Sequence, residues 1–501
     1  MFAFSQTILT DYVFQIKNPE IRYFLFVFRN NSDYINGRRS EKSPAQAGSF
    51  SPAGPTKQIN EGSIMKGMKI SLIAVMAALS AGTLLAADWY VSPTGKKKAE
   101  GNAAAAPLKD LYRAIKKAKP GDRILLAAGK YTGQMGASEI VIDKPITLIG
   151  GYSTDFSQRD VTKFASIIQP ANDKNDTKGL GLVTLKLPNG KGPDMVIDGL
   201  VIDQSYMNSY HTVKGKPAGV ETGMWLEPPA KGAKDKFGSA KSYSIFSETK
   251  SRYEGNIIIQ NCIISNSGNF GINISLYNGT VKILNNIFVA CRMESCDVSC
   301  SNVKPSVQCE FAYNTVLFTW SRTAEFTDMG YGFRCMTKVT SNIHHNIFGL
   351  NVFAGVGNDK GDPKTKKVKL EKNVFFLNKQ ADVTAVKSPN ILKLKVGTDA
   401  FEDMEDFPGM DGVDGNIALK DPAAFKDSIN KAYLTAFLNA SYSEKTDYDE
   451  NSPANVFRAA MGMNKVGKIQ TKVSMYGNRY PLQDTFKLWG AYKDYGAQPV
   501  K

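Results

Sequence analysis

Short runs in which apolar and polar residues alternate recur through the middle of the chain: "NIIIQ" (256–260), "VKILN" (281–285), "CEFAY" (309–313) and "VKLEK" (368–372). A period of two is the signal of a strand that turns one face inward. Each run leads into an Asn-rich turn and an apolar pair, as in "QNCIISN" (260–266), "LNNIFVA" (284–290), "YNTVLFT" (313–319), "HHNIFGL" (344–350) and "EKNVFFL" (371–377), with "IDGLVID" (197–203) as an earlier member. Aligned in this way, the middle column reads Gly199, Cys262, Asn286, Thr315, Asn346 and Asn373, at intervals of 63, 24, 29, 31 and 27 residues. Strands this short cannot bury an inner face alone. Intervals of 24 to 31 residues suit one coil of three short strands, and stacking such coils buries a continuous apolar column. The pattern therefore predicts an all-β fold, a right-handed parallel β-helix over residues 88–400. Asn at a repeated turn bonds to backbone and tolerates left-handed conformations, so Asn261, Asn285, Asn286, Asn314, Asn346 and Asn373 read as a structural ladder.

The two ends of the solenoid need covers. Near the first, Leu108, Leu111, Ile115 and Ala118 share one face of a short helix that Pro120-Gly121 ends, and the strand "RILLAAG" follows. At the other, residues 401–501 change to short helices and turns ("DPAAFKDSINKAYLTAFLN", "PANVFRAAMG", "PLQDTFKLWGAYKDYG") and read as a partly helical cap. The 63-residue interval holds an inserted loop, 204–254, with His211, Trp225 and several tyrosines. Long loops on a rigid scaffold are where binding usually resides, and these aromatic residues are candidates to hold a sugar.

Within residues 88–133, Tyr90-Val91-Ser92-Pro93, Gly95, Pro107-Leu108, the helix through Ala114, Pro120-Gly121-Asp122 and Gly129-Lys130-Tyr131 follow one another in a specific order. This order resembles the opening module of exported right-handed β-helix proteins of the pectate-lyase-like superfamily. The resemblance implies the fold and, among enzymes of this kind, cleavage or epimerisation of uronate polymers. The Asp-Pro-His-acid, Asn-Thr-Asp, Gly-His-Gly and Trp-Ile-Asp-His signatures of its best-known enzymes are missing, so no particular reaction is assigned.

Residues 65–91, "MKGMKISLIAVMAALSAGTLLAADWYV", have the basic head, apolar run and small residues of a signal peptide covering 65–87. The run from Ile70 to Leu85 is 16 residues, short of the ~20 of a membrane span. Residues 1–64 then read as upstream translation or disorder, and the mature chain as exported to periplasm, cell surface or medium. The formal net charge is +15, which favours an anionic partner. Export and the absence of nucleic-acid motifs make that partner an acidic polysaccharide rather than nucleic acid, with no stable membrane insertion after signal cleavage and a monomeric state. The six cysteines lie between 262 and 335, and "CRMESCDVSC" suggests a disulfide-stapled loop.

Removing a proton beside a uronate carboxylate requires a cation to hold the developing charge and a base to accept the proton. Two charged stretches qualify: "CRMESCDVSC", with Arg292, Glu294 and Asp297, and "SRTAEFTDMGYGFRCMTK", with Arg322, Glu325, Asp328, Tyr331, Arg334 and Lys338. From them Arg292, Glu325, Asp328 and Arg334 are the catalytic candidates; His211, Trp225, Tyr331 and Lys338 are the substrate-binding candidates. Calcium is a candidate cofactor, either there or at the acidic run 402–414. The sequence supports a carbohydrate-active protein, with polysaccharide lyase the leading reaction class and a noncatalytic polysaccharide-binding β-helix the alternative.

Overall fold

A computed structural model describes residues 86–133, 139–170, 181–204, 243–248, 250–320, 329–387, 390–468 and 478–500. Residues 65–85 of the expected signal peptide and the residues before them lie outside these, as do His211, Trp225, Glu325 and Asp328.

Three long sheets of ten, nine and nine strands build the body of the described chain, all parallel except for one antiparallel strand, Asn390–Leu394, at the edge of the third. Successive strands of one coil enter the first, second and third sheet in turn, and each pairs with its counterparts one coil away, as Ile259 does with Ile197 and Ile283. This is the predicted parallel β-helix. It extends beyond residue 400, because Met410–Asp414 and Ile417–Ala418 add strands to the first and second sheets. The inserted loop is shorter than 204–254, since Tyr243–Ser247 is a third-sheet strand.

The coil corners explain the Asn-rich turns. Asn261, Asn285, Tyr313, His345 and Lys372 are left-handed at one corner, and Asn266, Ala290, Phe318, Leu350 and Leu377 at the next. Beside the first corner an interior ladder forms. Asn286 accepts from Cys262 N, Asn314 from Asn286 N, Asn346 from Asn314 N, Asn373 from Asn346 N and Asn416 from Asn373 N. The amides of Asn286 and Asn314 also donate to Ile259 O and Ile283 O. The ladder thus passes through Asn314, not Thr315, which corrects the sequence alignment by one residue: Thr315 is the first residue of the following strand. Inside, Phe288, Phe311, Phe348 and Phe375 form a file of rings 5.3–6.0 Å apart.

The disulfide expectation fails. All six cysteines are free. "CRMESCDVSC" is not a stapled loop but runs into the strand Glu294–Cys300, and Cys262, Cys291, Cys296, Cys309 and Cys335 sit in the core as small apolar side chains. Burial pushes the Cys291 thiol up to about 11 and those of Cys262 and Cys335 up to about 12. A thiol reagent is expected to label only half-buried Cys300 in the native protein and all six cysteines after denaturation. Added reductant should leave the unfolding transition in place.

The helix Leu111–Lys117, capped by the Asp110 side chain, buries Leu111, Ala114 and Ile115 in the core as the N-terminal cover. The other end is not closed by the whole of 401–501. A hairpin strand, Asn390–Leu394, together with Phe401, Met404 and Phe407, joins the core there. The rest lies along the outside of the second sheet. The reason is chemical: that sheet is apolar on both faces, and Val201, Ile263, Ile287, Leu317, Ile347 and Val374 point outward. They are buried against Phe425, Leu434 and Phe437, then Phe457, Tyr480 and Trp489. The last residues strap several coils. Asn266 exchanges two hydrogen bonds with the Tyr480 backbone, Asn285 two with Gln498, and Gly496 N donates to His345 O. Gly496 is left-handed (φ 67°), and a Cβ there would meet Ile347 and Thr315 at 2.5 Å, so close docking requires glycine.

Candidate functional site

The third sheet carries ionisable groups on its outer face at facing positions of neighbouring coils. Asn273 pairs with Asp297, Asp297 with Arg334, and Arg334 with Gly357; Glu294 pairs with Tyr331. Arg334 Nη1 donates to Glu294 Oε1 at 2.8 Å, and its Nη2 lies 3.5 Å from Asp359 Oδ1. The guanidinium is stacked 4.4 Å from the Tyr331 ring centre, and the Tyr331 hydroxyl donates to Asp359 Oδ2 at 2.6 Å. Gly357 makes room: a Cβ there would stand 2.5 Å from the Tyr331 ring. Asn273 Nδ2 donates to Asp297 Oδ1 at 2.7 Å.

Outward-facing side chains of a β-helix are usually solvated, yet Glu294 and Asp297 are only 1% and 3% exposed. Burial raises the affinity of both carboxyls for a proton. Arg334 partly offsets this at Glu294, whereas the Glu294 charge adds to it at Asp297, which is held well above the usual carboxylate range. Glu294 Oε2 has no hydrogen-bond partner, so this buried carboxyl oxygen is left unsatisfied beside Asp297. Around it, burial first and then the Asp297 and Glu294 charges push Tyr243 up to about 12. Buried Lys366 donates to Lys360 O at 2.9 Å, and burial lowers its affinity for a proton. Asn273 and Arg334 are partly exposed and form the open side, while the Asp359 side chain is buried behind them.

Of the sequence candidates, Tyr331 and Arg334 come together here. Arg292 lies in the corner before this strand, buried, with Nη1 donating to Gly268 O at 3.0 Å and the guanidinium over the Trp320 ring. Lys338 belongs to the following corner and donates to Asn302 O. Asn273, Asp359, Lys366 and Tyr243 were not anticipated; equal register on adjacent coils was the signal that could have found them. Arg334 already engages Glu294 and Asp359, and among the described residues no group of three or more His, Cys, Asp or Glu is set to hold a metal ion. The carboxylates of the acidic run 402–414 are exposed, spread over a short helical turn and a strand.

Three sheets that each take one strand per coil, led by a helical cover, decide the architecture. The chain is a parallel β-helix. A family model described as a protein of unknown function, DUF1565, matches residues 93–159, the part that holds the N-terminal helix and the first coil of this β-helix. Among solved structures, the crystal structure of pectate lyase Pel9A is similar, at 16% identity and a TM-score of 0.35, over 62% of this chain and 74% of that one. No curated protein matches.

Proposed function

We propose that this β-helix is an exported carbohydrate-active protein that binds an acidic polysaccharide against the outer face of its third sheet and cleaves it by β-elimination. One observation carries the reading: two carboxyls, Glu294 and Asp297, are buried on an outer face beside Arg334, which donates to Glu294 at 2.8 Å. Arg334 exchanges one of its carboxylate partners for the uronate carboxylate and draws charge from the adjacent carbon. The ionised member of the pair takes the proton from that carbon, and a carbon–carbon double bond forms as the glycosidic C–O bond breaks. The protonated member gives its proton to the departing oxygen, so one proton enters the pair and one leaves it. The formal charge of +15 favours an anionic polymer.

The test is a panel of uronate polymers followed by absorbance of the unsaturated product. One polymer is expected to respond, with or without a calcium chelator, and Arg334→Lys, which keeps the charge but loses the planar fork, should slow the reaction by about 10²-fold. Retention of polymer with no product across the panel would leave a binding protein and sink the catalytic assignment.

A further inference from the structure

Two of the three histidines are neighbours in sequence. His344 ends the first-sheet strand Val339–His344, and His345 occupies the left-handed corner that follows, φ 55°. That turn sets the rings nearly perpendicular, at 88°, and brings their Nδ1 atoms to 3.0 Å. The neighbours fix both rings. His345 is stacked on Tyr313 at 4.9 Å and on Tyr495 of the terminal strap at 6.0 Å; His344 meets Tyr313 edge-on at 5.9 Å. The far nitrogen of His344, Nε2, lies 3.7 Å from Glu310 Oε1. Both histidines are half-buried, so the pair reaches solvent.

We propose that His344 and His345 chelate a divalent transition-metal ion of tetragonal preference, Cu2+ foremost, through their two Nδ1 atoms. Metal–imidazole bonds are about 2.0 Å long, so nitrogens 3.0 Å apart subtend roughly 95–100° at the metal. That is close to the right angle of tetragonal N,O coordination and narrower than the tetrahedral angle zinc prefers, and copper leads the divalent series in affinity. With its Nε2 proton on the Glu310 side, His344 Nδ1 accepts the 3.0 Å hydrogen bond from His345 Nδ1, and the metal takes the place of that proton as His345 moves it to Nε2; outer carboxylates commonly orient metal-binding imidazoles. Water completes the coordination, since no third His, Cys, Asp or Glu joins the pair among the described residues. The site lies on a different sheet from the carboxyl cluster and does not depend on the polysaccharide reading.

The experiment titrates Cu2+ into the full chain and records electron paramagnetic resonance and the melting temperature. One equivalent is expected to give a tetragonal spectrum split by two nitrogens and to raise the melting temperature. His344→Gln and His345→Gln should each remove the two-nitrogen pattern, His211→Gln should leave it intact, and Glu310→Gln should weaken binding by about 10-fold or more. The same spectrum in the double variant of His344 and His345, or one that disappears with His211→Gln, would overturn the proposal. Melting curves without copper show whether each variant is folded.

Discussion

Replacing Asp297 by Asn is expected to stabilise the folded chain while cutting polymer cleavage by about 10²–10⁴-fold. The two effects share one cause. Asp297 is buried beside Glu294, and its proton affinity in the folded state lies well above that of an exposed carboxyl. Folding at a pH between the unfolded and folded values therefore takes up a proton. The stability that the neutral form contributes is fully present below the unfolded carboxyl value, about pH 4, and is lost as pH rises through the higher folded value. A single proton taken up costs about 1.4 kcal/mol per pH unit across that window. Asn keeps the acceptor for Asn273 Nδ2, removes the repulsion from Glu294 and needs no proton. Urea unfolding at several pH values should show a fall in stability with rising pH for the native chain and a flatter profile, at higher stability, for Asp297→Asn. An equal slope in both would remove proton uptake at Asp297 from the account, and with it the acid–base pair.

The second large effect concerns the ladder. Asn314 accepts from Asn286 N and Nδ2, and donates to Ile283 O and to Asn346 Oδ1, with no exposure to solvent. Asn314→Ala leaves the Asn286 N–H buried without its partner, at about 1–3 kcal/mol, and removes the side-chain donor from Ile283 O. With the lost packing the expected destabilisation is about 3–5 kcal/mol, read as a lower denaturant midpoint. Asn314→Leu, similar in size but without polar atoms, should rescue little; if it restored the midpoint, packing rather than hydrogen bonding would be what the ladder supplies. Hydrogen exchange should loosen first in the coils on either side of residue 314, because each coil bonds only to its neighbours.

The fold was legible because it repeats. A period of two along strands and one Asn per coil are local signals, and the helix ahead of "RILLAAG" carries its own amphipathic face. What escaped was non-local. The apolar pairs after each Asn read as inward-facing, but within a pair only one side chain can point in. Ile264 and Phe288 face the core, while Ile263 and Ile287 face outward and call for the C-terminal segment to lie along the side. In "ESCDVSC" polar residues fall on both parities, which disguised a strand as a loop and its buried cysteines as disulfide partners. The site was half legible: Tyr331 and Arg334 stood out as charged or aromatic neighbours, but their convergence with Asp359 and Asn273 depends on coil-to-coil register that no single segment encodes.

The terminal strap imposes an order of events on synthesis. Coils can stack as they emerge from the ribosome, but the oily flank of the second sheet stays bare until the last residues arrive, and the asparagines that receive Tyr480 and Gln498 wait more than 200 positions for them. The newborn molecule is therefore most adhesive just before it is finished, and any translocation or chaperone step that delays the final segment prolongs that interval.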